Sequence, residues 1–343
     1  MAVSKPVGYA VIGLGGFAQR AILPGFRHSK KAKLVALVSG DRSKAKRLAT
    51  KFGAEVFYTY EELPACFSHP QVEAVYIATY NGSHAYYAVQ AAHAGKHVLC
   101  EKPMANSVFE CRQMVEACRA SGVRLMIGYR KYFEPSSLEL RALIRKGRLG
   151  RLKYIHSAFG IVIRARAERG AWHLDPKLAG GGSLPDVGIY CVNTISWLLG
   201  EEPLAASAYQ WTTDPETFSQ VDENIAFRLD FPNGIVAQAT SSFKAAESSF
   251  LQVHGEKGWA ALNPAYQWDL ERCLFGQIGG RWFEKRYKVI DELALELDAL
   301  ADSIRLQREP EPDGVQGMRD VAVMEAIYQS AREGRTVPIT VPE

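Results

Sequence analysis

Cysteine is sparse and scattered in this chain of 343 residues. Cys66, Cys100, Cys111, Cys118, Cys191 and Cys273 show no C-x-x-C spacing and no paired His-Cys clusters. That argues against structural zinc and against a disulfide framework, and for reduced, mostly buried thiols with no metal. Long apolar runs are missing as well, so no segment is expected to cross a bilayer. The first strand-like run also follows Met1 too closely for a signal peptide, and a cytoplasmic location is expected. Blocks of lysine and arginine are absent and the net charge is only +4, which removes the electrostatic footprint of a nucleic-acid binder. Neither an internal repeat nor a low-complexity linker appears. With 47% apolar and 23% charged residues the chain has ordinary soluble composition, and its length exceeds what one hydrophobic core usually carries. Two domains are therefore expected, at 1–128 and 129–343.

The first half alternates short apolar runs with segments of helical period. Tyr9–Ile12, Leu34–Val38, Val72–Thr79, His97–Cys100 and Arg124–Ile127 read as buried strands. Between them lie amphipathic stretches such as the one that turns Ala45, Leu48, Ala49 and Phe52 inward. Continuous apolar strands separated by such helices predict an α/β unit, a parallel sheet covered on both faces. Ligands of such sheets sit at the carboxyl ends of the strands. The loop Gly13-Leu14-Gly15-Gly16-Phe17-Ala18 follows the first strand. A pyrophosphate would rest there, because glycine admits close backbone approach and the next helix offers unpaired N–H groups.

The end of the second strand bears on which dinucleotide is bound. An NAD site usually carries a carboxylate about 20 residues past the glycine loop. Here Ser39 and Gly40 hold that place, followed by Asp41, Arg42, Ser43 and Lys44. A hydroxyl beside two cations suits a 2′-phosphate, which favours NADP(H) over NAD(H). The alternative is that Arg42 and Lys44 are solvated and that Asp41 is a helix N-cap or itself the ribose ligand.

After Tyr129 the pattern changes to a helix at 135–146 and several runs of alternating polarity: 152–163, 225–231, 235–243, 250–254 and 268–275. A strong hairpin turn lies at Phe231-Pro232-Asn233-Gly234-Ile235. This predicts an open, mainly antiparallel sheet with a helix or two on one face. The other face calls for a partner subunit.

Three residue types stand out as chemistry. Lys102, in Glu101-Lys102-Pro103, ends a buried strand where a cofactor's reactive ring would reach, though a surface lysine paired with Glu101 reads equally well from those residues alone. Asp186 and Tyr190 stand four apart after Gly180-Gly181-Gly182, a spacing that shares one helix face, and the glycines would let that backbone approach a ligand. A phenol near an ammonium has its pKa lowered and can act as a base towards an alcohol.

The ordered set of glycine loop, E-K-P, Gly128-Tyr129-Arg130 and G-G-G-S-L-P-D-V-G-I-Y resembles the Gfo/Idh/MocA oxidoreductase family over nearly the whole chain, most closely its glucose-fructose oxidoreductase branch. The resemblance implies a Rossmann domain followed by a sheet domain used in oligomerisation, as a homodimer or homotetramer. It implies Lys102, often before a cis proline in the family, as the catalytic lysine, with Asp186 as its aspartate and Tyr190 as the acid-base residue. Much of the family has histidine where Tyr190 stands. Arg130 and Asn81-Gly82-Ser83-His84 match segments near the nicotinamide. With Gly13, Gly15, Gly16, Phe17, Ala18, Ser39, Gly40, Arg42, Lys44, Glu101 and Lys102 they complete the expected cofactor set. Few residues precede Tyr9, unlike the branch's long arm, so the nucleotide is expected to exchange with solution.

The expected activity is hydride transfer between C1, or another carbinol carbon, of a sugar and NADP. The alternatives are a non-catalytic nucleotide sensor and an NAD-dependent glycosidase. Trp172, His173 and Tyr266 are expected to line the substrate. The run Arg164-Ala165-Arg166-Ala167-Glu168-Arg169 reads either as a contact for a sugar acid or phosphate or as solvated charge.

Overall fold

The computed structural model describes residues 5–163 and 171–340. Arg164, Arg166 and Arg169 lie outside the described residues. The chain divides into two compact units, Met1–Arg130 with Asp291–Met318, and Lys131–Ile290 with Arg319–Glu343.

The first unit is built on six parallel strands, β1 (Val7–Ile12), β2 (Ala32–Val38), β3 (Val56–Tyr58), β4 (Ala74–Ile77), β5 (His97–Glu101) and β6 (Leu125–Gly128). Their order is β3-β2-β1-β4-β5-β6, so the strand order reverses at β1 and leaves a ligand crevice at the carboxyl ends of β1 and β4. β1 is buried at every position, as its unbroken apolar run requires. The helix Arg42–Phe52 begins at Asp41, whose carboxylate accepts the Lys44 N–H, and ends at Gly53 in the left-handed region.

The helix Glu292–Arg305 corrects the linear division at 128/129. It packs against β2 and β5 of the first sheet, burying Leu293, Ala294, Leu297, Leu300 and Ala301. The Tyr9 hydroxyl donates to the Leu297 carbonyl at 3.0 Å. Amphipathic spacing announces that a helix face is buried; it does not say against which sheet.

The second unit carries a nine-stranded sheet: β7 (Leu152–Val162), β8 (Ala205–Trp211), β9 (Asn224–Asp230), β10 (Val236–Ser242), β11 (Lys244–Gly255), β12 (Gly258–Asn263), β13 (Arg272–Ile278), β14 (Arg281–Tyr287) and β15 (Val337–Pro338). The order is β14-β13-β12-β11-β7-β10-β9-β8-β15, antiparallel except for the β7–β10 pair. The expected hairpin joins β9 to β10, with Asn233 (φ 63°) and Gly234 (φ 75°) in the left-handed region. The run expected at 268–275 starts as a strand only at Arg272. Helices Pro135–Arg145 and Ile189–Leu199 cover one face, the first touching β12 and β13 and the second β7. The opposite face carries a continuous aromatic ladder across five strands. Tyr154 stacks on His254 (4.3 Å between ring centres), His254 on Trp259 (6.0 Å), and Trp259 meets Phe275 and Trp282 at 5.9 and 5.8 Å.

Candidate active site

The glycine loop leaves β1 at Gly13, whose φ of +96° and whose fit against β4 both demand glycine; a Cβ there would stand 2.5 Å from the Ala78 carbonyl oxygen. Gly15 and Gly16 face open space, with no atom within 4 Å of an added Cβ, and Gly15 is exposed. Tightly pinned at its base and bare at its crest, the loop has the form a pyrophosphate cradle needs. Phe17 and Ala18 follow, and the helix expected after the loop opens with a π turn at Ala18–Ile22.

At the end of β2, Ser39 is buried and its Oγ accepts the Asp41 N–H at 3.2 Å, beside Gly40. Asp41 is a helix cap, as one of the sequence alternatives held. Arg42 binds the Glu62 carboxylate through Nη1 at 2.7 and 2.8 Å and lies over Phe57. These groups fit a phosphorylated ribose: the nearest carboxylate is engaged as a cap, and the guanidinium is held by an exposed partner that an anion can displace.

Lys102 lies just past β5, half-buried, and its peptide bond to Pro103 is cis. Beneath it Glu101 is buried, accepting the Lys102 N–H at 3.2 Å and the Tyr76 hydroxyl at 2.7 Å. His84 and Arg130, expected to approach the nicotinamide, are themselves buried. Arg130 pairs with Glu292 at 2.9 Å. The His84 ring faces the Pro103 carbonyl at 3.0 Å through Nδ1 and the Thr79 carbonyl at 3.3 Å through Nε2. Two carbonyl neighbours favour the charged ring, yet complete burial outweighs them, and the nearby Lys102 charge adds to it; the pKa falls to about 4. His84 therefore braces the proline turn as a neutral group. Asn81, also buried, opens the 3₁₀ turn Asn81–Ser83 that leads into the His84–His93 helix.

This burial has an acid signature. In the unfolded chain the imidazole protonates near 6.5, whereas in the folded protein it stays neutral down to about 4. As pH falls through that window the unfolded state gains a proton that the native state lacks, and stability drops by about 3 kcal/mol, with no further loss from this group below the lower pKa. Urea unfolding between pH 7 and pH 4 should show this slope in the wild type and a shallower one in His84→Gln. Equal slopes would place the titration elsewhere.

In the second unit Gly180–Gly182 lead into a π turn at Leu184–Gly188 and then the Ile189–Leu199 helix. Two of these glycines are needed because the backbone meets other protein atoms closely. A Cβ at Gly181 would collide with the Tyr328 hydroxyl and one at Gly182 with the Asp222 carbonyl oxygen. Asp222 is the residue that sequence reasoning missed. Fully buried, it accepts the Gly182 N–H at 2.7 Å, the Leu184 N–H and Ser183 hydroxyl at 2.8 Å each, and the Tyr328 hydroxyl. One carboxylate thus gathers the start of the turn that carries Asp186 and Tyr190. No spacing rule connects position 222 to that loop.

Asp186 Oδ2 lies 3.7 Å from His173 Nδ1, and the His173 ring lies against Trp172, tilted by 32° with centres 3.8 Å apart. Tyr190 is 8% exposed and packs edge-on against Phe159 and beside Tyr266, at 5.6 and 5.8 Å. Tyr266, expected to line the substrate, is wholly buried with its hydroxyl 2.7 Å from Ser157 Oγ, so it buttresses Tyr190 from behind. Trp172 and His173 remain partly accessible beside Asp186.

A doubly wound sheet with a bare glycine crest at its switch point, followed by a large mixed sheet, defines a Rossmann-type oxidoreductase. Residues 7–129 match the family described as an oxidoreductase family with an NAD-binding Rossmann fold, and residues 137–261 match the GFO/IDH/MocA C-terminal domain. The chain belongs to the Gfo/Idh/MocA oxidoreductase family. It is 32% identical to a D-xylose 1-dehydrogenase [NADP(+)] of Haloarcula marismortui over 98% of this chain and 94% of that protein. The solved aldose-aldose oxidoreductase of Caulobacter crescentus, complexed with glycerol, is 38% identical with a TM-score of 0.93, covering 98% of this chain and 100% of that one. A trans-1,2-dihydrobenzene-1,2-diol dehydrogenase of Mus musculus is 32% identical over 68% of this chain and 67% of its own length. No helix among the described residues is long and apolar enough to cross a membrane.

Proposed function

We propose that this chain oxidises the C1 hydroxyl of an aldose to the lactone, or acts in the reductive direction on a keto sugar at another carbinol carbon, with NADP(H) favoured over NAD(H). The reading rests above all on the near end-to-end similarity to a D-xylose dehydrogenase and an aldose-aldose oxidoreductase. The nicotinamide, when bound, supplies the hydride acceptor. Tyr190, acting as the phenolate, takes the proton from the sugar hydroxyl and becomes the phenol. Lys102 stabilises the negative charge that develops on the sugar oxygen, and Asp186, with His173 beside it, orients the reacting groups. Ser39, Gly40, Arg42 and Lys44 bind the 2′-phosphate, and Trp172 and His173 contact the sugar.

The aromatic ladder on the open sheet face, with Tyr154 and Trp282 well exposed, supports pairing with a second copy of this chain as a homodimer or homotetramer. Six free thiols accord with a cytoplasmic location.

The test is NADPH absorbance after mixing the full-length protein with NADP and a panel of aldoses, sugar phosphates and uronic acids. Sustained turnover on aldoses is expected. A burst of one equivalent that a second sugar relieves would make the protein a two-sugar shuttle holding its nucleotide. Tight NADP binding with no turnover in either direction would overturn the enzymatic reading.

A further inference from the structure

Under the Lys102 turn lies a group of ionisable side chains that hydride transfer does not use, all within the first unit. Glu101, Glu292 and Glu296 are buried there with Arg130 and Tyr76, and Glu296 and Tyr76 are wholly inaccessible. Arg130 is taken up by Glu292 at 2.9 Å. The Tyr76 hydroxyl stands between the other two carboxyl groups, 2.7 Å from Glu101 Oε1 and 3.5 Å from Glu296 Oε2. Glu296 Oε1 is buried and has no hydrogen-bond partner among the described residues. The β6 backbone closes over Glu101 at Gly128, where an added Cβ would sit 3.4 Å from the carboxyl oxygen.

Donor arithmetic decides the protonation of this group. A phenol has one proton to give, and the shorter contact assigns it to Glu101. A second ionised carboxylate would then face the phenol oxygen acceptor to acceptor, in a fully buried site, with its remaining oxygen unpaired. A proton on Glu296 removes the conflict: the acid donates towards the phenol oxygen, the phenol donates to Glu101, and Glu101 accepts the Lys102 N–H. Charge then balances, with Glu292 against Arg130 and Glu101 against Lys102.

We propose that Glu101 and Glu296 hold one proton between them, carried by Glu296 and relayed through the Tyr76 hydroxyl, and that this neutral acid is a positioning device for Lys102. Glu296 touches neither substrate nor cofactor in this assignment; it acts through Tyr76 and Glu101. The groups facing it are Glu101 from β5, Arg130 after β6, Glu292 on its own helix and Tyr76 from β4. Burial first, and the Glu101 charge next, hold the Glu296 acid well above the usual carboxylate range, while Arg130 opposes them. At high pH the proton leaves to solvent, a second negative charge enters the buried group, and the Lys102 turn loses its fixed support. The protonation itself is independent of the proposed activity; the positioning of Lys102 rests on that reading.

Two measurements test this. Unliganded full-length protein, labelled with ¹³C in the glutamate side-chain carboxyls, should show at pH 7 the infrared carbonyl band of a buried protonated acid. Glu296→Gln should lack that band. Absence of the band from the wild type, or its persistence in Glu296→Gln, overturns the assignment whether or not the protein turns over sugar. For the positioning role, Glu296→Leu should lower kcat about tenfold, and Glu296→Gln, which keeps a neutral donor, should recover most of that loss while removing the alkaline decline that the wild type shows. If glutamine is as damaging as leucine, or if the alkaline decline is the same in glutamine variant and wild type, Glu296 does not act as a neutral acid on Lys102.

Discussion

Replacing Tyr190 with phenylalanine is expected to lower kcat by about 10²–10⁴-fold, the range that a positioned acid-base group contributes. The ring should keep its place, because Phe159 and Tyr266 pack against it. Volume and packing change little, so folding and nucleotide binding should stay close to wild type, and the loss should fall on the chemical step. Measurement of kcat and KM on the best aldose, together with the NADPH dissociation constant, separates these contributions. The pH–rate profile adds a second readout, since the variant should lose the inflection that belongs to the base. Turnover near wild type with an unchanged profile would mean that another group takes the proton; His173, beside Asp186, would be the next residue to examine.

The fold was largely legible because its signals are local. Unbroken apolar runs such as Val7–Ile12 have one economical use, a strand buried on both faces, and the Asn233-Gly234 pair can adopt left-handed backbone where most residues cannot. The glycine loop and the lysine at the end of β5 were legible for the same reason, since each follows an apolar strand directly. Long-range partners were not. Nothing near position 222 marks it as the carboxylate that gathers the Gly182–Leu184 turn, and nothing in the spacing of Leu293, Leu297 and Leu300 says that Glu296 between them is buried beside Glu101. Glycines carry a related ambiguity. Gly15 is bare, whereas Gly181 and Gly182 are filled by Tyr328 and Asp222, and the sequence shows the same residue type in each case. The resemblance puts His84 near the nicotinamide and Tyr266 is expected to line the substrate; both are buried, with the His84 ring facing the Pro103 carbonyl and the Tyr266 hydroxyl on Ser157, partners that no local spacing announces.

Lys102→Met should cost about 10²–10³-fold in kcat, the magnitude found when one preorganised charge or donor facing a developing oxyanion is removed. Methionine keeps most of the stem's length and apolar packing, so the difference isolates the ammonium. Its support comes from below: Glu101 accepts the backbone N–H of residue 102, which methionine retains, so the turn should survive the substitution. NADPH affinity should therefore change much less than kcat. Arginine should restore little, because a planar guanidinium on a longer stem cannot reproduce a compact point charge. The double variant Lys102→Met with Tyr190→Phe gives the sharper result. Two groups that serve one proton and one developing charge act as a unit, so removing both should cost scarcely more than removing the more important one. Fully multiplicative losses would instead mean that the lysine acts in a separate step, such as nucleotide binding, and would withdraw its assignment as the group that stabilises the sugar oxygen.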